Sequence, residues 1–204
     1  MAKQKIQIPK IKKKERNRQI FHLILGLIVV LLIHFNIITE LVAFLIIVIG
    51  FTISIISKKK QIPVIHWFLK RFEREKDLKK FPGRGALYFF LGVFFTLIIF
   101  KKETTVAAIL IFAIVDTIPP LIGRYGKIPH PLSSKKYLEA ALGGFIIAGF
   151  AATIFIPWYQ AALASLAAVI VEGIDLRARL DPLDDNITVP LISALVIWLI
   201  RISI

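Results

Sequence analysis

Seven predominantly apolar runs take up most of this chain: 19–36, 38–57, 85–100, 104–122, 137–156, 158–174 and 187–203. Each is built mainly of Ile, Leu, Val, Phe and Ala. A helix needs about 20 such residues to cross a bilayer. Backbone polar groups inside lipid must be satisfied within the segment, so runs like these predict helices. The expected fold class is therefore all-α: a polytopic membrane protein with about seven transmembrane helices. Composition agrees, since 57% of residues are apolar and the charged 20% come in clumps. A soluble domain would spread its charge along the chain. Hydrophobicity this high excludes disorder, and the lack of cysteine excludes disulfide scaffolds and zinc–thiolate sites. No secretory cleavage pattern follows the first run, which therefore reads as a retained span. The expected organisation is a basic tail over 1–18 and a single transmembrane catalytic domain over 19–204.

Charge sets the expected orientation. Of 27 Lys and Arg, 24 lie in the N-terminal segment and in the connections after the second, fourth and sixth runs. Only Lys101, Lys102 and Arg201 fall on the other side. The positive-inside rule puts the basic side, with the N-terminus, in the cytoplasm. Topology setting and attraction to anionic lipid head groups account for most of this charge, and no nucleic-acid partner is expected. Within the loop 58–84, the stretch Val64–Phe81 carries Ile65, Phe68, Leu69 and Phe72 on one helical face. It is expected to be a helix lying in the cytoplasmic interface, with Trp67 as an anchor.

The thirteen acidic residues are more informative, because carboxylates in or beside spans are costly and mark function. Asp116 follows Thr104–Val115 and so lies roughly 18 Å from the outer end at ~1.5 Å per residue. Pro119 and Pro120 are expected to break the helix just beyond it. Glu139 opens the fifth run, Glu172 and Asp175 close the sixth, and Asp184 and Asp185 precede the seventh. All are expected on the cytoplasmic side. Arg16, Arg18, His22, Arg84, Lys135 and Lys136 reach the same level. Gly83 and Gly85 flank Arg84, and Gly123 and Gly126 follow Pro120. Glycines allow a phosphate to approach backbone N–H groups, and a helix N-terminus favours an anion. Carboxylates suit Mg²⁺, and basic side chains suit phosphate oxygens. Other readings compete: Glu139 as a helix cap, His22 as a core histidine, and Asp181 and Asp184 as loop or cap residues.

These segments resemble the CTP-dependent lipid-alcohol kinases, a family that includes dolichol, polyprenol and phytol kinases and CTP-using diacylglycerol kinases. Glu15-Arg16-Asn17-Arg18-Gln19-Ile20-Phe21-His22, with Gly26 following, is similar to the family's opening element, with Gln19 where lysine is usual. Pro82-Gly83-Arg84-Gly85 through Gly92 resembles its second element. Asp116, Gly123-Arg124-Tyr125-Gly126-Lys127, Ser133-Ser134-Lys135-Lys136 and Glu139 resemble the segment associated with CTP binding, with Ala140 in place of the usual glycine. Glu172 and Asp184-Asp185-Asn186-Ile187-Thr188-Val189-Pro190 resemble the last element.

The resemblance implies a CTP-dependent kinase that phosphorylates the hydroxyl of a membrane lipid alcohol at the cytoplasmic face, with CTP as donor and Mg²⁺ as cofactor. An isoprenoid alcohol is favoured and diacylglycerol is possible. Asp116 is expected as base or metal ligand, and Glu139 and Lys136 join it as catalytic candidates. Glu172 and Asp185 are further metal candidates. Arg84, Gly85, Gly123, Gly126, Lys127, Ser134, Lys135 and Asn186 are expected around the nucleotide, and Arg16, Arg18 and His22 around the triphosphate or the lipid hydroxyl. The Asp116–Glu139 pattern also resembles phosphatidate cytidylyltransferases, which would make a CDP-lipid, but the Asp184-Asp185-Asn186 run fits the kinases better. A carrier would place acids near the midplane or on both sides.

Overall fold

The computed structural model describes residues 13–60, 62–73, 78, 81–174 and 184–203. Asp175, Asp181 and the tail before residue 13 lie outside the described residues. So do the side chains of Arg124, Ser134 and Lys135.

Eight helices appear among the described residues: α1 (Lys13–His34), α2 (Glu40–Lys59), α3 (Pro63–Phe72), α4 (Arg84–Ile99), α5 (Lys102–Ile122), α6 (Leu138–Ala152), α7 (Trp158–Gly173) and α8 (Asp185–Ser203). Each of the seven apolar runs is a helix, and α3 is the additional one. Helices α1, α2, α5 and α8 are long and apolar enough to cross a membrane, while α4 and α6 are apolar but shorter. Local chemistry sets several starts. Thr39 caps α2 by accepting the Val42 N–H, Pro63 occupies the first turn of α3, and Gly83 turns into α4 at φ 82°, a conformation that costs glycine least.

Helix α5 is the axis of the molecule. It is buried without interruption from Thr104 to Val115, then again at Thr117 and Pro119. A helix apolar on every side must be surrounded, and α1, α6, α7 and α8 all pack against it. Helix α4 packs on α8 and α2. The outer faces keep large apolar side chains exposed, among them Ile24, Leu41, Ile49 and Phe150. Apolar surface on this scale calls for an apolar solvent or partner.

Three expectations need correction. α1 begins at Lys13, inside the segment expected as a tail. Pro119 and Pro120 do not end α5, which runs through them to Ile122. Their rings fit a helical φ, and α6 makes room for them: a Cβ on Gly144 would meet the Pro119 ring at 2.8 Å. Helix α3 stops at Phe72, where Glu73 has extended dihedrals, well short of Phe81. Lys135 and Lys136 stand at the entry to α6, and the residues there are extended. They lie on β2 (Ser133–Tyr137), which pairs antiparallel with β1 (Pro129–His130) in a two-stranded hairpin. Alternation over so few residues is too short to signal a strand.

Candidate active site

Two close helix contacts build the site. At the first, α1 crosses α5 where a Cβ on Gly26 would stand 2.5 Å from the Ala113 Cβ. One turn from that contact on each antiparallel helix lie His22 and Asp116. The bare glycine thus lets the two side chains meet, with His22 Nδ1 3.5 Å from Asp116 Oδ2 and both side chains about three-quarters buried. At the second contact, Gly92 of α4 lies against the backbone of Asn186 and Ile187 at the start of α8. Asn186 can then donate from Nδ2 to the Gly85 carbonyl at 3.2 Å. Asp184 caps α8: its Oδ1 accepts the Asn186 N–H at 3.2 Å, and its carbonyl accepts those of Ile187 and Thr188. The Asp184 carboxylate also stands 4.0 Å from Arg84 Nε, while the Arg84 guanidinium lies 5.0 Å from the Tyr88 ring centre.

Between these contacts lies a small, partly open cavity of about 40 Å³. His22, Asp116, Thr117 and Asn186 supply its polar lining, and Phe21, Leu25, Phe89 and Phe112 most of the rest. Phe89 and Phe112 stack with ring centres 5.9 Å apart. The pocket is thus apolar with a few convergent polar groups, the usual make-up of a small-molecule site.

A third group stands beside it. Lys136 of β2 reaches across to α7, placing Nζ 2.7 Å from Glu172 Oε1 and bonding the Glu172 carbonyl as well. The charges of Asp116 and Asp185 both act on the Glu172 carboxylate. Three acids from α5, α7 and α8 therefore share one electrostatic neighbourhood. Glu139 faces the preceding loop, where Oε1 accepts the N–H groups of Lys127 and Ile128 at 2.9 and 3.1 Å. It holds the 127–128 backbone beside the first turn of α6. Gly126 is packed so closely on Tyr137 that a Cβ would overlap the ring.

The structure thus brings His22, Asp116, Gly85 and Asn186 to one cavity, with Asp185, Glu172 and Lys136 around the Asp116 side. Arg18 is buried but holds Glu15, with Nε 3.1 Å from Oε2. Arg16 and Lys127 are exposed. Gly123 opens a short 3-10 turn. Among the described residues no group of three His, Asp or Glu side chains is close enough to hold a metal alone. Magnesium asks for less, since it is usually bound by one or two carboxylates with water and substrate phosphates. The charges of Asp116 and Asp185 on Glu172 are what such a cation would relieve, so carboxylates at this place suit it. Sequence reasoning missed Thr117, a hydroxyl inside an apolar run and beside Asp116, and the Phe89–Phe112 wall. It also missed Glu73, whose Oε2 accepts the Gly83 N–H at 2.9 Å and steadies the turn into α4.

No family model and no solved structure matches this chain. Among known proteins it is similar to an uncharacterized protein of Methanocaldococcus jannaschii, 29% identical over 188 residues that make up 90% of this chain and 93% of that protein. It is 25% identical over 143 residues to CTP-dependent diacylglycerol kinase 1 of Schizosaccharomyces pombe, covering 61% of this chain and 64% of the kinase. It is 28% identical over 135 residues to a probable chloroplastic phytol kinase 2 of Glycine max, covering 57% and 45%. The matched segments thus span about half to two thirds of these kinases. The chain is a homologue of the CTP-dependent lipid kinases.

Proposed function

We propose that this protein is a membrane enzyme that transfers the γ-phosphoryl group of CTP to the hydroxyl of a lipid alcohol. The observation that carries the reading is the Asp116–His22 pair at an apolar cavity among membrane-length helices. A lipid hydroxyl needs an apolar approach and a polar end, and this cavity has both. The kinase homologues supply the reaction class and the nucleotide. The acceptor is an isoprenoid-type alcohol, with diacylglycerol second. In this reading the seven apolar helices, four of them of full membrane length, span the bilayer with the site at the cytoplasmic side, and α3 lies in that interface. The uneven distribution of Lys and Arg supports this orientation.

In this mechanism the acceptor hydroxyl loses its proton to Asp116, whose carboxylate His22 orients. The acceptor oxygen forms a bond to the γ-phosphorus, the bond from that phosphorus to the β–γ bridging oxygen breaks, and CDP leaves. Such catalysis is mostly positioning and charge neutralisation. Two of the carboxylates Asp116, Asp185 and Glu172, with water and the substrate phosphates, would hold Mg²⁺, which when bound neutralises phosphate charge. Lys136 offsets the acids and offers a cation to the nucleotide. Arg84 and Arg16 serve the phosphates, and Gly85 and Asn186 shape the cavity rim. Glu139 acts through the backbone it holds, keeping Gly123, Gly126 and Lys127 in place for the nucleotide. Ser134 and Lys135 remain candidates for nucleotide contact.

The test is turnover by protein in detergent given γ-labelled CTP, Mg²⁺ and a polyprenol. The wild type should yield labelled lipid phosphate and CDP, whereas release of pyrophosphate with a CDP-lipid from phosphatidic acid would mark a cytidylyltransferase. Asp116→Asn should lower turnover by about 10²- to 10⁴-fold, the range for losing a general base, with an unchanged unfolding midpoint. Full activity in that variant removes Asp116 from the chemistry.

A further inference from the structure

We infer that Thr117 orients the acceptor, its hydroxyl bonding the lipid hydroxyl beside Asp116, and that the acceptor reaches it through the cleft between α1 and α4. This rests on the lipid-kinase reading above. Thr117 is fully buried, lines the cavity, and its Oγ1 has no hydrogen-bond partner among the described residues. Hydroxyls in helices ordinarily bond back to the carbonyl one turn earlier. Thr52, Thr96, Thr188 and Ser193 all do so here, to Val48, Gly92, Asp184 and Val189. Thr117 does not. A buried hydroxyl without a partner costs stability, so one kept in a cavity wall calls for a ligand that completes it.

The surroundings indicate which ligand. Phe89 and Phe112 make the cavity wall on α4 and α5, and Phe21 and Leu25 the wall on α1. These surfaces suit a hydrocarbon and offer no charge to the phosphates of a nucleotide. Helices α1 and α4 both border α5 but scarcely touch each other, which leaves a lateral opening toward the surrounding lipid. Deeper along α1 the contact between Gly26 and Ala113 closes the path. An alcohol sliding in from the side would stop with its oxygen near Thr117, Asp116 and His22. The hydroxyl of Thr117 donates to, or accepts from, the lipid hydroxyl while Asp116 takes the proton.

The isosteric variant Thr117→Val separates this role from a structural one. It keeps the shape and removes only the hydroxyl, so its unfolding midpoint in detergent should be unchanged or higher. Its kcat/KM for a C20 prenyl alcohol should fall about ten- to a hundredfold, the range for losing one hydrogen bond to a reacting group. The KM for CTP should not move, and Thr117→Ser should retain wild-type kcat/KM within about threefold. Unchanged lipid kcat/KM in Thr117→Val overturns the inference. So does a fall matched by a lower midpoint, or a raised KM for CTP alone, which would assign the hydroxyl to the nucleotide. A wild type that phosphorylates no lipid alcohol with CTP rejects the parent reading and takes this inference with it.

Discussion

His130 ties the hairpin to the rest of the site, and it does so as a neutral ring. Its imidazole is buried against the bare backbone of Gly173, where a Cβ would stand 2.5 Å from Cε1. Its Nδ1 accepts the Leu132 N–H at 3.2 Å, so a proton on that nitrogen removes the bond. Burial first, and the Lys136 ammonium second, hold its pKa below the usual imidazole value. A folded-state pKa below the unfolded one means that the unfolded chain binds the proton more readily. The contribution to stability is therefore complete above about pH 6.5, the unfolded value, and is lost as pH falls through the folded value. Thermal unfolding in detergent from about pH 7.5 to about 5 should show a falling midpoint in the wild type, and a flatter profile in His130→Gln. Equal slopes would show that other groups carry the acid sensitivity. The same loss should loosen the grip of Lys136 on Glu172, because both side chains belong to the seam between β2 and α7.

Among the elements, the crossing of α1 on α5 decides whether His22 and Asp116 meet. Gly26→Ala would set a methyl 2.5 Å from the Ala113 Cβ, on a contact between two helices with little freedom to yield. Overpacking of this kind costs about 1–3 kcal/mol, and the helices must separate next to the pair 3.5 Å apart. Gly26→Ala should lower both the unfolding midpoint and turnover, while Gly26→Ala with Ala113→Gly should recover most of each, as coupled neighbours do. Failure of the double variant to recover would place the effect of Gly26 elsewhere. The elements themselves were largely legible in the sequence, because a helix in lipid must be apolar for most of its length, and each run became a helix. Asp116 was legible for the same reason, as an acid in an apolar run. The hairpin was not, since its five-residue strand carries no pattern beyond Ser-Ser-Lys-Lys-Tyr. Nor was the continuation of α5 through two prolines, which depends on Gly144 of another helix. Pairings such as His22 with Asp116, or Lys136 with Glu172, join residues far apart in the chain and follow only from how the helices cross. The missing partner of the Thr117 hydroxyl likewise arises only in the folded chain.

Across the whole molecule, the helix ends sort into two layers. One holds His22–Asp116, Lys136–Glu172 and Asn186–Gly85. The other holds Arg201, which donates to Thr104 Oγ1 at 2.9 Å and Gln160 Oε1 at 3.3 Å, and Lys102, which donates to Asn36 Oδ1 at 3.0 Å. The second layer contains the three cations that charge counting set apart from the other 24. Packing and charge bias thus divide the chain at the same place, although one depends on contacts and the other on membrane insertion. If the first layer faces the cytoplasm, substrates carrying phosphate need never cross the bilayer. The chain has no cysteine, so single introduced thiols report on sidedness cleanly. Lys127→Cys and Ile37→Cys place thiols at exposed positions in the first and second layers respectively. In intact cells a membrane-impermeant maleimide should label Ile37→Cys and spare Lys127→Cys, and in inside-out vesicles the order should reverse. Labelling of both from one face would mean that the layers do not lie on opposite sides of a membrane, and the lateral route for the lipid would lose its basis.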